Sequence, residues 1–280
     1  MKSTNNTASD IIIHAAELEN RSEYSPAVSV FLTPSEQAEL FRYVRYPHRL
    51  FFWGGFTGAE RRSAVFIPEW AADSAPSEEH LRYDSAAREE FLKELIFGED
   101  APFPGVADEI RLLRIKGSGH RVLAHKDILG SVMGLGITRQ SAGDICMLSD
   151  SESVIALSGK LTDYITEGLS KVATDGVSVY PVSDPASFTY ERSFEEKSCT
   201  VASMRLDGIV SAITGLSRTR SAELISAGLV QISGIAEENL SREVTVGDTV
   251  TVRGYGKFRI DSTDGLTKKS RIRITVKKYT

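Results

Sequence analysis

Residues 205–234 predict two short helices, and the second begins with arginines well suited to bind an anion. The first helix has one apolar face, formed by Leu206, Ile209, Val210 and Ile213. Gly215 is the expected left-handed C-cap, and Ser217 the expected N-cap of the second helix. Arg218 and Arg220 place two guanidinium groups beside the free amides and positive dipole end of that helix. The sequence therefore predicts an anion site, and in a polymer the anion is phosphate.

Alternation near the C-terminus predicts a sheet with one basic face. Residues 271–277 alternate between apolar and mostly basic side chains, and residues 257–260 repeat the pattern. A solvated strand face is the alternative for any one strand, but two such strands beside a basic helix start favour a nucleic-acid surface. The predicted contact residues are Arg205, Ser217, Arg218, Arg220, Lys257, Arg259, Lys268, Lys269, Arg271 and Arg273.

The distribution of charge supports a binding role for this end of the chain. The 280 residues carry a formal net charge of -5, which taken alone argues against a nucleic-acid partner. Residues 205–280, however, contain 13 Lys and Arg against 8 Asp and Glu, while the remainder contains 20 against 30. An acidic body with a basic end is typical of a tethered RNA-binding module.

Several functional classes lack the residues that they need. Cys146 and Cys199 form no metal-ligand spacing, and the five histidines form no zinc cluster. No apolar run approaches the roughly 18 residues of a membrane span, and the N-terminus lacks the apolar segment of a signal peptide. We therefore expect a cytoplasmic protein with reduced thiols, no metal, no cofactor and no membrane or DNA partner.

Two short motifs raise enzymatic alternatives. His125-Lys126-Asp127 is similar to a kinase catalytic loop, but Val132 stands where that loop needs a magnesium-binding Asn. Arg205-Leu206-Asp207 is similar to the catalytic motif of pseudouridine synthases, but Gly208 follows in place of their Thr-Ser-Gly and only about 70 residues remain. We expect Asp207 to be a first-turn helix residue that orients Arg205, and no catalytic residue.

The predicted architecture is α+β, in three domains. Residues 1–78 form a small α+β domain, in which Thr33-Pro34-Ser35-Glu36 is a capping box that opens a helix, and residues 71–79 suit a linker. Residues 79–190 form a middle domain with the β-α-β-β-α-β order of ferredoxin-like and RRM folds. Its strands lack the aromatic pairs on which an RRM stacks bases. A further strand is expected near residues 188–194, before the third domain at residues 200–280.

The third domain resembles the S4 RNA-binding domain, a small α/β module. The matching positions are Arg205-Leu206-Asp207, Ser217-Arg218, Ala222, Leu224-Ile225, Gly228, Val230, Gly234 and Gly247-Asp248. Ser233 departs from this pattern, because many S4 domains carry Asn there.

Further motifs make the chain similar to bacterial YlmH-like proteins over about residues 30–280. Residues 52–56 and 58–62 resemble their FFGGYxGAERxR stretch, and residues 125–130 resemble HRDxLG, with Lys126 for the usual Arg. The other matching segments are residues 134–139, 143–145, 253–257 and 267–273. This resemblance implies a non-enzymatic protein of ribosome-associated quality control. Such a protein binds a split large ribosomal subunit through rRNA and tRNA and supports growth of the stalled chain.

The residues themselves leave other functions open. A ribosome-assembly factor or a tRNA-binding factor would need the same phosphate-binding chemistry, and an RNA-modifying enzyme similar to a pseudouridine synthase is the remote alternative. Whether the first two domains contact RNA or protein does not follow from the residues.

Overall fold

The computed structural model describes residues 7–73, 86–191, 194–267 and 269–279, with side chains from residue 13 onward. The chain divides into two units, Met1–Tyr190 (unit 1) and Glu191–Thr280 (unit 2). Each unit combines helices with antiparallel sheet, which confirms the α+β class. The described helices include none that is long and apolar enough to span a membrane.

Unit 1 begins with a three-stranded antiparallel sheet of order β1-β3-β2. Its elements are α1 (Thr7–Arg21), β1 (Ala27–Leu32), α2 (Pro34–Tyr43), β2 (Leu50–Trp53), β3 (Arg62–Phe66), α3 (Glu69–Ala72), α4 (Ala86–Phe97) and α5 (Gly105–Glu109). The predicted capping box is confirmed, because the Glu36 carboxylate accepts the Thr33 amide (2.6 Å) and the Thr33 hydroxyl accepts the Glu36 amide (3.3 Å). The predicted linker at residues 71–79 lies mostly outside the described residues.

Arg88 fastens α4 to the first sheet. Its Nη2 donates to the carbonyl oxygens of Pro47 (3.0 Å) and Leu50 (2.5 Å), and its guanidinium lies 4.2 Å from the centre of the Phe51 ring. Burial lowers the pKa of Arg88 to about 10. The carbonyl oxygens and the aromatic face compensate the buried cation for part of its lost hydration, whereas Nε and Nη1 are buried without a hydrogen-bond partner among the described residues.

The rest of unit 1 is a five-stranded sheet of order β5-β6-β4-β8-β7 with two helices on one face. The elements are β4 (Ile110–Gly117), α6 (His125–Gly134), β5 (Ala142–Met147), β6 (Glu152–Ser158), α7 (Thr162–Gly168), β7 (Lys171–Val172) and β8 (Asp175–Pro181). The strand predicted near residues 188–194 is wrong. Residues 182–191 form no strand, and the next strand is β9 (Phe194–Val201) in unit 2.

Unit 2 places helices on one face of a six-stranded antiparallel sheet of order β11-β10-β12-β13-β14-β9. The remaining elements are α8 (Leu206–Thr214), α9 (Arg218–Ser226), β10 (Val230–Ile232), β11 (Ile235–Ala236), β12 (Thr249–Val252), β13 (Gly256–Leu266) and β14 (Ile272–Tyr279). The helix predictions are confirmed. The four apolar positions of α8 are buried, and Gly215 is left-handed with a φ of 78°.

The turn between β10 and β11 has a backbone conformation that favours Asn at position 233. Ser233 has a φ of 49° and Gly234 a φ of 84°, and both lie between the paired residues Ile232 and Ile235. Positive φ at both central positions favours Asn-Gly in a two-residue hairpin. Ser233 therefore occupies a position where the turn conformation itself favours Asn.

Candidate nucleic-acid interface

The start of α9 has the cap geometry of an anion site. The Ser217 hydroxyl accepts the Arg220 amide at 3.2 Å, and Arg218 and Arg220 are both exposed. The first amides of a helix have no acceptor within the helix, so the amides before Arg220 point outward with the positive end of the helix dipole. A phosphate oxygen is a suitable acceptor for these groups.

Arg218 and Arg271 come together at a cleft of about 310 Å³ in unit 2. Arg271 Nη2 donates to the carbonyl oxygen of Thr200 at 2.7 Å, which fixes that guanidinium at the cleft wall. Arg218 Nη2 lies 3.8 Å from the position that a Cβ on Gly208 would occupy, so it lies close to the α8 backbone. Two guanidinium groups in one cleft can bind the same phosphate or neighbouring phosphates.

Arg205 and Arg220, the other predicted cationic contacts at these helices, have carboxylate partners. Arg205 Nε lies 3.1 Å from the Asp207 carboxylate, which confirms that Asp207 orients Arg205. Arg220 Nη1 lies 2.5 Å from the Glu223 carboxylate. The Arg220–Glu223 pair is exposed and the Arg205–Asp207 pair is partly exposed, because the Asp207 side chain is 18% exposed; exposed pairs contribute little to stability. A phosphate can therefore compete for either guanidinium, but Arg218 and Arg271 are the better-placed pair.

The face of the unit 2 sheet that points away from the helices is less basic than the strand sequences predict. Arg259 and Arg273 are exposed, whereas Lys277 lies 3.0 Å from Asp261. The pKa of the Asp264 carboxyl is lowered, first by hydrogen bonds from the Ser262 and Thr275 hydroxyls and also by Arg273. Carboxylates among the cations reduce the attraction of this face for phosphate.

The remaining predicted contacts are Lys257, Lys268 and Lys269. Lys257 lies over the Tyr279 ring, 4.7 Å from its centre, in a cation–π contact. Lys269 is exposed, and Lys268 lies outside the described residues. The predicted residues therefore form two groups in unit 2, one at the α9 start and its cleft and one on the strands.

In unit 1, the sheet face opposite α6 and α7 is covered. Leu112, Val154 and Ala156 pack in one core with Phe31 and Phe56 of the first sheet region. The layers meet closely, because a Cβ on Gly143 would lie 2.6 Å from the Phe31 ring, and a Cβ on Gly55 would lie 2.8 Å from a Leu112 methyl. An RRM stacks bases on this face of its sheet, so the central strands of unit 1 do not offer that surface.

Three of the motifs quoted above meet at Asp144. Its carboxylate accepts the amides of Glu60 (2.6 Å) and Arg61 (3.2 Å), and Arg61 Nη2 donates to the Arg139 carbonyl oxygen (3.3 Å). Burial lowers the pKa of Arg139, as does the nearby Arg61, whereas Asp144 opposes this shift. The pKa of His125 is lowered by burial and by Arg139, with Asp144 again opposing. The cluster joins the two sheets of unit 1, so these motif residues have a structural role.

Neither a metal site nor a disulfide is formed by the residues that the structure describes. No group of three His, Cys, Asp or Glu side chains among them is placed to hold a metal ion. Cys146 and Cys199 form no disulfide.

Comparisons with known proteins show that most of the chain is similar to one curated protein. Residues 107–184 match a family model described as "Putative RNA-binding domain in YlmH". The chain is 25% identical over 254 residues to the ribosome-associated protein quality control protein P2 of Bacillus subtilis (strain 168), covering 90% of this chain and 87% of that protein. The solved cell division protein ylmH from Streptococcus pneumoniae is 19% identical, with a TM-score of 0.42 over 68% of this chain and 99% of that one.

The family match lies in unit 1, whereas all predicted contacts lie in unit 2. The match begins in α5 and ends just after β8. The sequence prediction did not single out the cations of residues 116–126, which extend from the end of β4 to the first turn of α6. The available signal was their density, since residues 116–126 contain three Lys or Arg and two His without one acidic residue.

Proposed function

Because this chain belongs to the YlmH-like family, we propose that it binds structured RNA of the large ribosomal subunit together with tRNA, in ribosome-associated quality control. The observation that carries the proposal is the likeness to the Bacillus subtilis quality control protein over 90% of the chain. The match of residues 107–184 to an RNA-binding domain supports RNA as the partner.

The chemistry of unit 2 supports a phosphate-binding role for an S4 domain at residues 200–280. The free amides at the α9 start and the Arg218–Arg271 cleft recognise phosphate, which positions a protein on RNA without reading sequence. The described cleft offers no aromatic ring on which a base could stack. A surface of this kind distinguishes the shape and phosphate spacing of folded RNA, and large-subunit rRNA and tRNA are folded RNAs.

In this proposal the protein acts by binding and catalyses no reaction. Asp207 holds Arg205 at 3.1 Å and lies in the first turn of α8, which accounts for the Arg-Leu-Asp motif without pseudouridine synthesis. The middle domain of residues 79–190, which combines the β4–β8 sheet with α6 and α7, acts as an RRM-like module whose central sheet face is closed. A ribosome-assembly factor or a tRNA-binding factor is the alternative, since both would use the same surfaces.

Sedimentation of the tagged full-length protein through a sucrose gradient tests the proposal. We expect it to migrate with free large subunits that still carry tRNA, and to leave them as the salt concentration rises, because bound phosphates release counterions. Precursor rRNA in the same fractions would support the assembly role instead. Absence of the protein from ribosomal fractions at low salt would contradict both. New pseudouridine in incubated rRNA or tRNA, found by mass spectrometry, would overturn the binding role.

A further inference from the structure

Residues 116–126 run from the end of β4 through the connecting loop into the first turn of α6, and they form a basic segment of unit 1. We call it the basic loop. Its Lys116, Arg121 and Lys126 side chains are exposed, and it contains no acidic residue. Val122 between them is 64% exposed. Cations around a small exposed apolar side chain are a suitable surface for a phosphate backbone.

The basic loop is braced against two neighbouring turns. The Gly117 amide donates to the Ser151 carbonyl oxygen and the Leu123 amide to the Asp150 carbonyl oxygen, both at 2.7 Å. The Ser118 amide donates to the Asp175 carboxylate at 3.1 Å. Leu123 is 3% exposed and anchors the loop in the core. Because the backbone is already held, little conformational entropy is lost when the loop binds a partner.

Two acidic groups beside the basic loop, Asp127 and Asp175, are turned toward its backbone. The Asp127 side chain is 16% exposed and accepts the Ala124 amide at 3.0 Å, with Arg121 Nη2 at 3.8 Å. Asp175 is buried beneath Ser118. Asp150 is the exposed acid of the adjoining turn, and Lys171 of β7 is exposed as well. The surface presented to solvent therefore keeps an excess of cations.

One face of the β4–β8 sheet is covered by the first sheet region, so RNA cannot bind on that face. The matched RNA-binding domain spans residues 107–184, but Phe31 and Phe56 cover Leu112 and Ala156 on the face where an RRM stacks bases. An RNA contact in this domain must therefore use another surface. The basic loop lies at the exposed end of β4, a central strand of the same sheet.

We propose that the basic loop is a second RNA-binding site, which contacts the phosphate backbone of the RNA through Lys116, Arg121 and Lys126. This inference rests on the proposed function in one respect, namely that the partner is RNA. It is separate from the α9 site, because every group that forms it belongs to unit 1. The loop supplies charge in a fixed geometry, so it contributes affinity and register without base readout.

The Arg121→Ala/Lys126→Ala variant of the full-length protein tests the proposal. The matched control is Arg111→Ala/Lys160→Ala, which also removes two exposed cations beside acids, but at the opposite end of β4. Filter binding to purified large subunits carrying tRNA, over a series of salt concentrations, measures both. We expect about tenfold weaker binding for the loop variant, with a salt slope lower by about 1 to 2. The control should stay within about twofold of the wild type.

Equal affinity and slope for the loop variant and the control would overturn the proposal. A wild-type protein that fails to bind the subunits would instead overturn the proposed function.

A photo-crosslinking residue at Val122 gives a measurement that does not depend on removing charge. Crosslinks to RNA from position 122 support the site, and the control is position 164, where the Tyr164 hydroxyl bonds Leu135 at the far end of α6. Crosslinks from position 164 and none from position 122 would contradict the site.

Discussion

Replacing both Arg218 and Arg271 with alanine is expected to weaken RNA binding by about 2–3 kcal/mol, roughly 30- to 150-fold, from the usual strength of hydrogen bonds to charged groups. The two guanidinium groups line one cleft beside the α9 start, so the double variant removes both cationic donors from one site. Filter binding with the full-length protein, at a fixed salt concentration, measures the loss.

The control for this variant is Arg242→Ala/Arg253→Ala. These arginines are also exposed in unit 2 but do not line the cleft. We expect at most about a threefold loss, because removal of distant charges acts only through the screened overall field. Equal losses for the two variants would show that net charge, and not the cleft, controls binding. Both variants should keep the wild-type melting curve, since their side chains are exposed.

Asp144→Ala is expected to destabilise unit 1 by about 1–3 kcal/mol, the range for amides that lose a partly buried acceptor. The substitution removes the acceptor of the Glu60 and Arg61 amides. It also removes a carboxylate from between Arg61, Arg139 and His125. Tryptophan fluorescence during urea unfolding reports this unit selectively, because both tryptophans of the chain, Trp53 and Trp70, belong to it.

Two further substitutions serve as controls for the stability loss of Asp144→Ala. Asp144→Asn keeps one carbonyl oxygen as an acceptor, so its effect should be about half as large. Asp150→Ala removes an exposed carboxylate from the next turn and should change stability by less than about 0.5 kcal/mol. A wild-type unfolding midpoint for Asp144→Ala would mean that the cluster does not join the two sheets in solution.

Local signals made several elements predictable from the sequence. The Thr33–Glu36 capping box, the Ser217 N-cap and the left-handed Gly215 each depend on side chains within a few residues, and all three are confirmed. The buried stripe of α8 was also predictable, because helical spacing alone determines which residues share a face.

Long-range pairing accounts for what the sequence did not predict. The strand β9 has mostly exposed residues, so it lacks the apolar alternation of a half-buried strand. Its pairing with β14, Val201 opposite Ile272, joins segments some 70 residues apart. The closed sheet face likewise depends on Phe31, which lies about 80 residues before the strand that it covers.

The candidate site was predictable in its residue types but not in its arrangement. Arg218 was expected from the helix start, but its proximity to Arg271 depends on the tertiary fold. Conversely, Lys277 was expected on a basic face, and the structure places Asp261 3.0 Å away. Acidic and basic partners from different strands cannot be paired without knowing the register of the sheet.

Crosslinking of the full-length protein to RNA in cells, followed by sequencing of the attached RNA, tests the central claim most directly. The proposed function predicts that crosslinks concentrate in large-subunit rRNA and tRNA, and that Arg218→Ala/Arg271→Ala depletes them. Crosslinks spread over messenger RNA, or concentrated in small-subunit rRNA, would contradict the claim that this protein binds the large ribosomal subunit with its tRNA.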